Sequence, residues 1–157
     1  MGVHLPWEKL ADWRKSLRKA GKKVVVTNGC FDLLHVGHVR FLQEAKAEGD
    51  VLLVGLNGDQ SVQELKGPGR PVNAEADRAE VLAALGCVDA VVIFPEKRAT
   101  RFLEAAQPDV YVKGGDYRPE DLDEGEQAAV KKAGGLVRVL KLTPGKSTTA
   151  VLAKVKT

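Results

Sequence analysis

Residues Lys22 to Glu48 read KKVVVTNGCFDLLHVGHVRFLQEAKAE. The apolar run Val24, Val25, Val26 has the β-branched character of a buried strand, and Asn28, Gly29 and Cys30 supply a short glycine-bearing turn. From Val36 onward, Phe41, Leu42 and Ala45 recur at helical spacing, so the stretch predicts strand, turn and amphipathic helix. His35 and His38 stand at the opening of that helix, three residues apart, and project from one side. Free backbone N–H groups and the positive end of the helix dipole attract an anion there. Such a place suits phosphate.

Working outward, the 157 residues are 44% hydrophobic and 29% charged, enough for one good core and too few for two ordinary domains. A formal charge of +3 is mildly basic, and the cations are spread among nearly as many acids, so no nucleic-acid stripe stands out. The excess favours a phosphorylated small molecule. Cys30 and Cys87, far apart, suggest reduced thiols in a cytoplasmic protein. No signal peptide or membrane-length apolar run is expected. With His4 the only other histidine and no Cys/His/carboxylate cluster beside Cys30, a metal held by histidine is not expected.

Pro6 to Arg18 predicts a leading helix with Leu10, Trp13 and Leu17 inward and Arg14 among the outer residues, serving either as a lid on the core or as a dimer contact. Residues 1–21 are read as this extension and 22–157 as the main domain. After the histidine helix come a strand over Val51 to Leu56, a polar loop over Gln60 to Pro71, and a helix from Ala74 to Leu85 capped by Asn73, with Val81 inward. Strands over Ala90 to Phe94, Val110 to Lys113 and Leu136 to Leu140 alternate with helices over Thr100 to Gln107 and Glu124 to Ala133, and a last helix begins at Ser147. Repeated βα units imply an α/β, doubly wound parallel sheet of five strands with helices on both faces.

The run N-G-C-F-D-L-L-H-V-G-H resembles the signature of the cytidylyltransferase-like nucleotidyltransferases, G-x-F-D-x-x-H-x-G-H after the first strand. With L-K-G-P-G-R-P-V-N, V-K-G-G-D-Y and S-T-T, the chain is similar to the heptose 1-phosphate adenylyltransferase branch, the nucleotidyltransferase half of a bifunctional ADP-heptose synthesis enzyme. The resemblance covers Lys22 to Lys156 and implies the Rossmann-like strand order 3-2-1-4-5. No sugar-kinase half is recognised, so a stand-alone adenylyltransferase served by a separate kinase is expected. The implied reaction is transfer of AMP from ATP to a sugar 1-phosphate with pyrophosphate release, in a homodimer, with Mg2+ bridging the triphosphate. Cytidylyl transfer to glycerol 3-phosphate or phosphoethanolamine, FMN adenylylation and non-catalytic nucleotide binding are the alternatives.

Carried over by position, the resemblance implies catalytic roles for His35, His38 and Lys46. It implies nucleotide contacts from Asn28, Gly29, Cys30, Phe31, Gly37, Arg78, Lys113, Gly114, Gly115, Asp116, Ser147, Thr148 and Thr149, and second-substrate contacts from Asp32, Asp59 and Lys66. Taken by themselves, several of these residues have plainer readings. Ser147 makes a good N-cap, Lys46 and Arg78 can be surface cations, Gly114-Gly115 can be a turn, and Asp32 can close an Asx-turn.

Overall fold

The protein, seen as a computed structural model, is described over residues 2–116 and 118–156. Tyr117, at the end of V-K-G-G-D-Y, lies outside the described residues. The strands are β1 (Val3–His4), β2 (Val24–Gly29), β3 (Val51–Asn57), β4 (Ala90–Phe94), β5 (Val110–Gly114) and β6 (Leu136–Leu140). The helices are α1 (Leu10–Lys19), α2 (Val36–Lys46), α3 (Asp59–Lys66), α4 (Glu75–Ala83), α5 (Thr100–Ala106), α6 (Glu124–Lys132) and α7 (Thr148–Val155).

All pairings are parallel, and the order is β1-β4-β3-β2-β5-β6. The expected five strands in the order 3-2-1-4-5 are thus corrected to six, with β1 added at the edge beside β4. A two-residue strand carries no periodicity. It forms because Val3 and Leu5 donate backbone N–H groups to the Asp89 and Val91 carbonyls.

Strand alternation puts Val24 and Val26 into one core with Leu10, Phe102, Leu103 and Val130, and Val25 into another with Leu42, Ala45, Ala79 and Leu82. The sheet is therefore covered by α1, α5 and α6 on one face and by α2 and α4 on the other. The chain winds outward from β2 through β3 and β4, then crosses back to β5. The carboxyl ends of β2 and β5 flank the crevice where such sheets bind ligands.

Three local expectations are corrected. Residues expected as a loop from Gln60 form α3, since Ser61 and Val62 are buried and anchor a short helix before Gly67 turns the backbone at φ 97. Asn73 does not cap α4. Ala74 takes the cap position, Asn73 is bonded to Asp32, and Val81 is 53% exposed. Arg14, expected outside, is buried because Nε donates to the Gln107 carbonyl at 2.9 Å and Nη2 to Asp109 at 3.2 Å, pinning α1 beneath β5.

Candidate functional site

At the carboxyl edge of β2 the backbone reverses through Phe31, whose φ is 43°. Its ring lies across Gly29, where a Cβ would come within 2.9 Å of it, and 5.2 Å from the His38 ring. His35 is the N-cap of α2. Its Nδ1 accepts the Gly37 N–H at 3.1 Å, and His38 Nδ1 accepts the His35 N–H at 3.3 Å. The two rings stack with centroids 3.9 Å apart. Because both Nδ1 atoms accept, each neutral imidazole carries its proton on Nε2, a tautomer assigned from these bonds. Burial, then the neighbouring His35, lowers His38 to about 4. Burial and Lys146 lower His35 as well. At neutral pH the pair are uncharged N–H donors.

These histidines line a cleft of about 760 Å³ that also takes in Asn28, Gly29, Cys30, Phe31, Asp32, Gly37, Lys66, Lys113, Gly114, Ser147, Thr148 and Thr149. Ser147 is the N-cap of α7, accepting the Ala150 N–H at 3.0 Å, and Thr148 Oγ1 donates to the Leu33 carbonyl at 3.0 Å. That bond seats the start of α7 against the histidine loop. A Cβ on Gly37 would meet His35 at 2.8 Å and Lys146 Cβ at 3.1 Å, so only glycine lets the loop and Lys146 approach this closely. Similarly, Gly114 packs closely against Leu142 and the Phe41 ring, and the three form an apolar patch of the cleft wall. Burial lowers the Lys113 ammonium below its usual value, opposed by Glu126.

Five of the expected contacts lie elsewhere. Lys46 sits at the far end of α2, about 15 Å along the axis from Val36. There it pairs with Asp89 and donates to the Asp50 carbonyl. Arg78 is buried, and its guanidinium is spent on the carbonyls of Asn73, Cys30 and Asn57 and on Asp59 Oδ1, all at 2.8 Å. Asp59 is taken up in that pair, and Gly115 and Asp116 lie past the cleft wall. Asp32, although on the wall, accepts from Arg70 Nε at 2.7 Å and from the Val72 and Asn73 N–H groups. Burial pushes its carboxyl up, but the Asn73 and Val72 N–H groups and Arg70 outweigh this and hold it below the usual range. It clamps the α3–α4 loop and makes no bond to either histidine. Burial raises the Cys30 thiol. Cys30 is therefore a neutral small side chain in the wall.

Several wall residues were not anticipated: Phe41, Asn57, Lys97, Arg98, Asp121, Asp123, Glu126 and Leu142. Lys97-Arg98 follows β4, and the rule that ligands gather beyond strand ends would have singled the pair out. Asp123 and Glu126 form an N-cap pattern that reads simply as a helix start. Among the described residues no three His, Cys, Asp or Glu side chains converge to hold a metal ion. No helix among the described residues is long and apolar enough to cross a membrane.

Comparison with known proteins agrees with this geometry. The Bifunctional protein HldE of Geotalea uraniireducens is 53% identical over 143 residues, 91% of this chain and 29% of that protein. That of Syntrophotalea carbinolica is 47% identical over 148 residues, 94% of this chain and 30% of the relative. The chain thus spans about three-tenths of the length of these curated relatives. Among solved structures, the lipopolysaccharide core biosynthesis protein of Thermoplasma volcanium superposes with a TM-score of 0.63 at 28% identity, covering 78% of this chain and 98% of its own. A pantoate-beta-alanine ligase from Francisella tularensis, at 15% identity and TM-score 0.59 over 94% of this chain and 69% of its own, shares the fold. The cytidylyltransferase-like family pattern matches residues 26–153, and the chain belongs to that family.

Proposed function

We propose that the protein transfers AMP from ATP to heptose 1-phosphate, releasing pyrophosphate and forming an ADP-sugar. The observation that carries the reading is the stacked, neutral His35–His38 pair seated beside the Ser147–Thr149 helix start in one cleft. The relatives at about 50% identity are bifunctional proteins, and we assign to this chain the nucleotidyl-transfer part of such a pair.

In this reading the apolar patch of Gly114, Phe41 and Leu142 takes the base. Thr149, the N–H groups at the start of α7, and Lys146 hold the outer phosphates. An oxygen of the sugar phosphate attacks the α-phosphorus, the bond from that phosphorus to the bridging oxygen breaks, and pyrophosphate leaves. The nucleophile is anionic at neutral pH, so no general base is required. Charge grows on the α-phosphoryl oxygens and the leaving group, and His35 and His38 donate Nε2–H to it without carrying charge themselves. Lys66 and Arg70, on the same wall, offset the negative charge of the two phosphorylated substrates.

The test is pyrophosphate release by purified protein with ATP and CTP, each crossed against heptose 1-phosphate, glycerol 3-phosphate and FMN in the presence of Mg2+. Release with ATP and heptose 1-phosphate is expected. A clear preference for CTP or for another acceptor would replace the substrates and keep the chemistry, and no release with any pair would remove the enzymatic reading.

A further inference from the structure

The cleft divides into two chemically different halves. On the α2–α7 side lie the apolar patch of Phe41, Gly114 and Leu142 and a helix start, suited to a base and its phosphates. The opposite side is lined by both charges. Glu126 is 7% exposed, and its Oε2 accepts the Ala99 N–H at 3.1 Å. Its Oε1 accepts from the Tyr111 hydroxyl at 3.5 Å, a hydroxyl that also bonds Asn28 Oδ1. Glu126 lines the cleft, and because a carboxylate offers about four acceptor positions these two bonds leave it room to accept from a ligand. Asp123 Oδ1 accepts the Glu126 N–H at 3.0 Å, while its Oδ2 lies 3.8 Å from Arg98. Lys113, at the end of β5, lines the same cleft with its ammonium 5.6 Å from the centroid of the Tyr111 ring. Contacts through Asn28, Ala99 and Arg98 thus knit the ends of β2, β4 and β5 to the start of α6, and this half has a place of its own in the fold.

Resting on the proposed nucleotidyl transfer, we infer that Lys97, Arg98, Lys113, Asp121, Asp123 and Glu126 form the acceptor subsite, which takes a polyhydroxylated phosphate ester whose hydroxyls are read by the Glu126 carboxylate. Three cations answer one phosphate dianion, and three carboxylates accept from hydroxyls. The buried Glu126 is the most discriminating of them, because an acceptor without a hydroxyl at that position leaves it unpaired on desolvation.

The subsite is tested by calorimetric titration of heptose 1-phosphate, glucose 1-phosphate and phosphoethanolamine into the full chain loaded with a non-hydrolysable ATP analogue, for wild type and Glu126→Gln. Wild type is expected to bind a sugar phosphate, and Glu126→Gln to weaken it at least tenfold while changing analogue affinity less than twofold. Arg98→Ala, at a side chain 74% exposed and so safe for folding, is expected to weaken the same ligand without affecting the analogue. Loss of analogue affinity with unchanged sugar phosphate binding would overturn the assignment. So would stronger binding of phosphoethanolamine, or no binding of any sugar phosphate by wild type. Because the titration involves no turnover, these results stand apart from the pyrophosphate assay. If glucose 1-phosphate binds and heptose 1-phosphate does not, the substrate in the proposed function falls while the subsite survives.

Discussion

In the proposed reaction His38 serves as a donor because it stays neutral. Its folded value of about 4 lies below the ordinary 6.5. The unfolded chain therefore binds the proton first as pH falls, and between about 6.5 and 4 stability declines with falling pH through this group. Above 6.5 the contribution is complete. His38→Ala is expected to lower kcat by about 10²-fold or more with a smaller change in the KM for ATP, the scale of losing one charge-stabilising donor. In wild type, the acid limb of the kcat profile is expected below pH 5, in line with the buried imidazole. Steady-state kinetics from pH 4.5 to 8 check both, and an acid limb near 6.5 would mean that His38 titrates as an exposed imidazole. The histidines were legible because spacing and a helix start define their side. Lys46 and Arg78 were not. Identity and register are visible in a sequence, but whether a cation is consumed by Asp89 or by three carbonyls depends on tertiary contacts.

Among elements, the segment joining β3 to α4 departs most from expectation. K-G-P-G-R-P speaks so strongly for a turn that it conceals α3 just before it, whose periodicity rests on the single buried apolar Val62. The loop beyond α3 is held by Asp32, through Arg70 and two backbone N–H groups, and by Arg78 through the Asn73 carbonyl. Asp32→Asn is expected to cost about 2 kcal/mol at pH 7, the scale of hydrogen bonds to a buried charge. Asp32 has a depressed folded value, so its contribution is present above the unfolded value of about 4 and is lost as pH falls through the folded one. Urea denaturation at pH 7 and pH 3 should show the gap between wild type and variant closing in acid. A gap that persists unchanged at pH 3 would contradict the ionised clamp.

At the scale of the molecule, alternation of apolar strands and amphipathic helices was enough to reveal the parallel α/β architecture. Strand neighbours were not readable from periodicity, and β1 left no pattern. The leading segment proves integral, since Leu10 is 1% exposed in the core shared by α5 and α6. Leu10→Ala is expected to lower unfolding stability by about 2–5 kcal/mol with kcat unchanged, measured by urea denaturation and turnover at low temperature. A loss under 1 kcal/mol would make α1 a surface appendage. The Thr148–Leu33 bond, spanning 115 residues, bears on biosynthesis. At a translation rate of about 5–20 residues per second, the histidine loop leaves the ribosome on the order of ten seconds before the helix start that completes its phosphate cradle. During that interval the nascent chain holds only half of the cleft wall, and the wall is complete once β6 and α7 have been made.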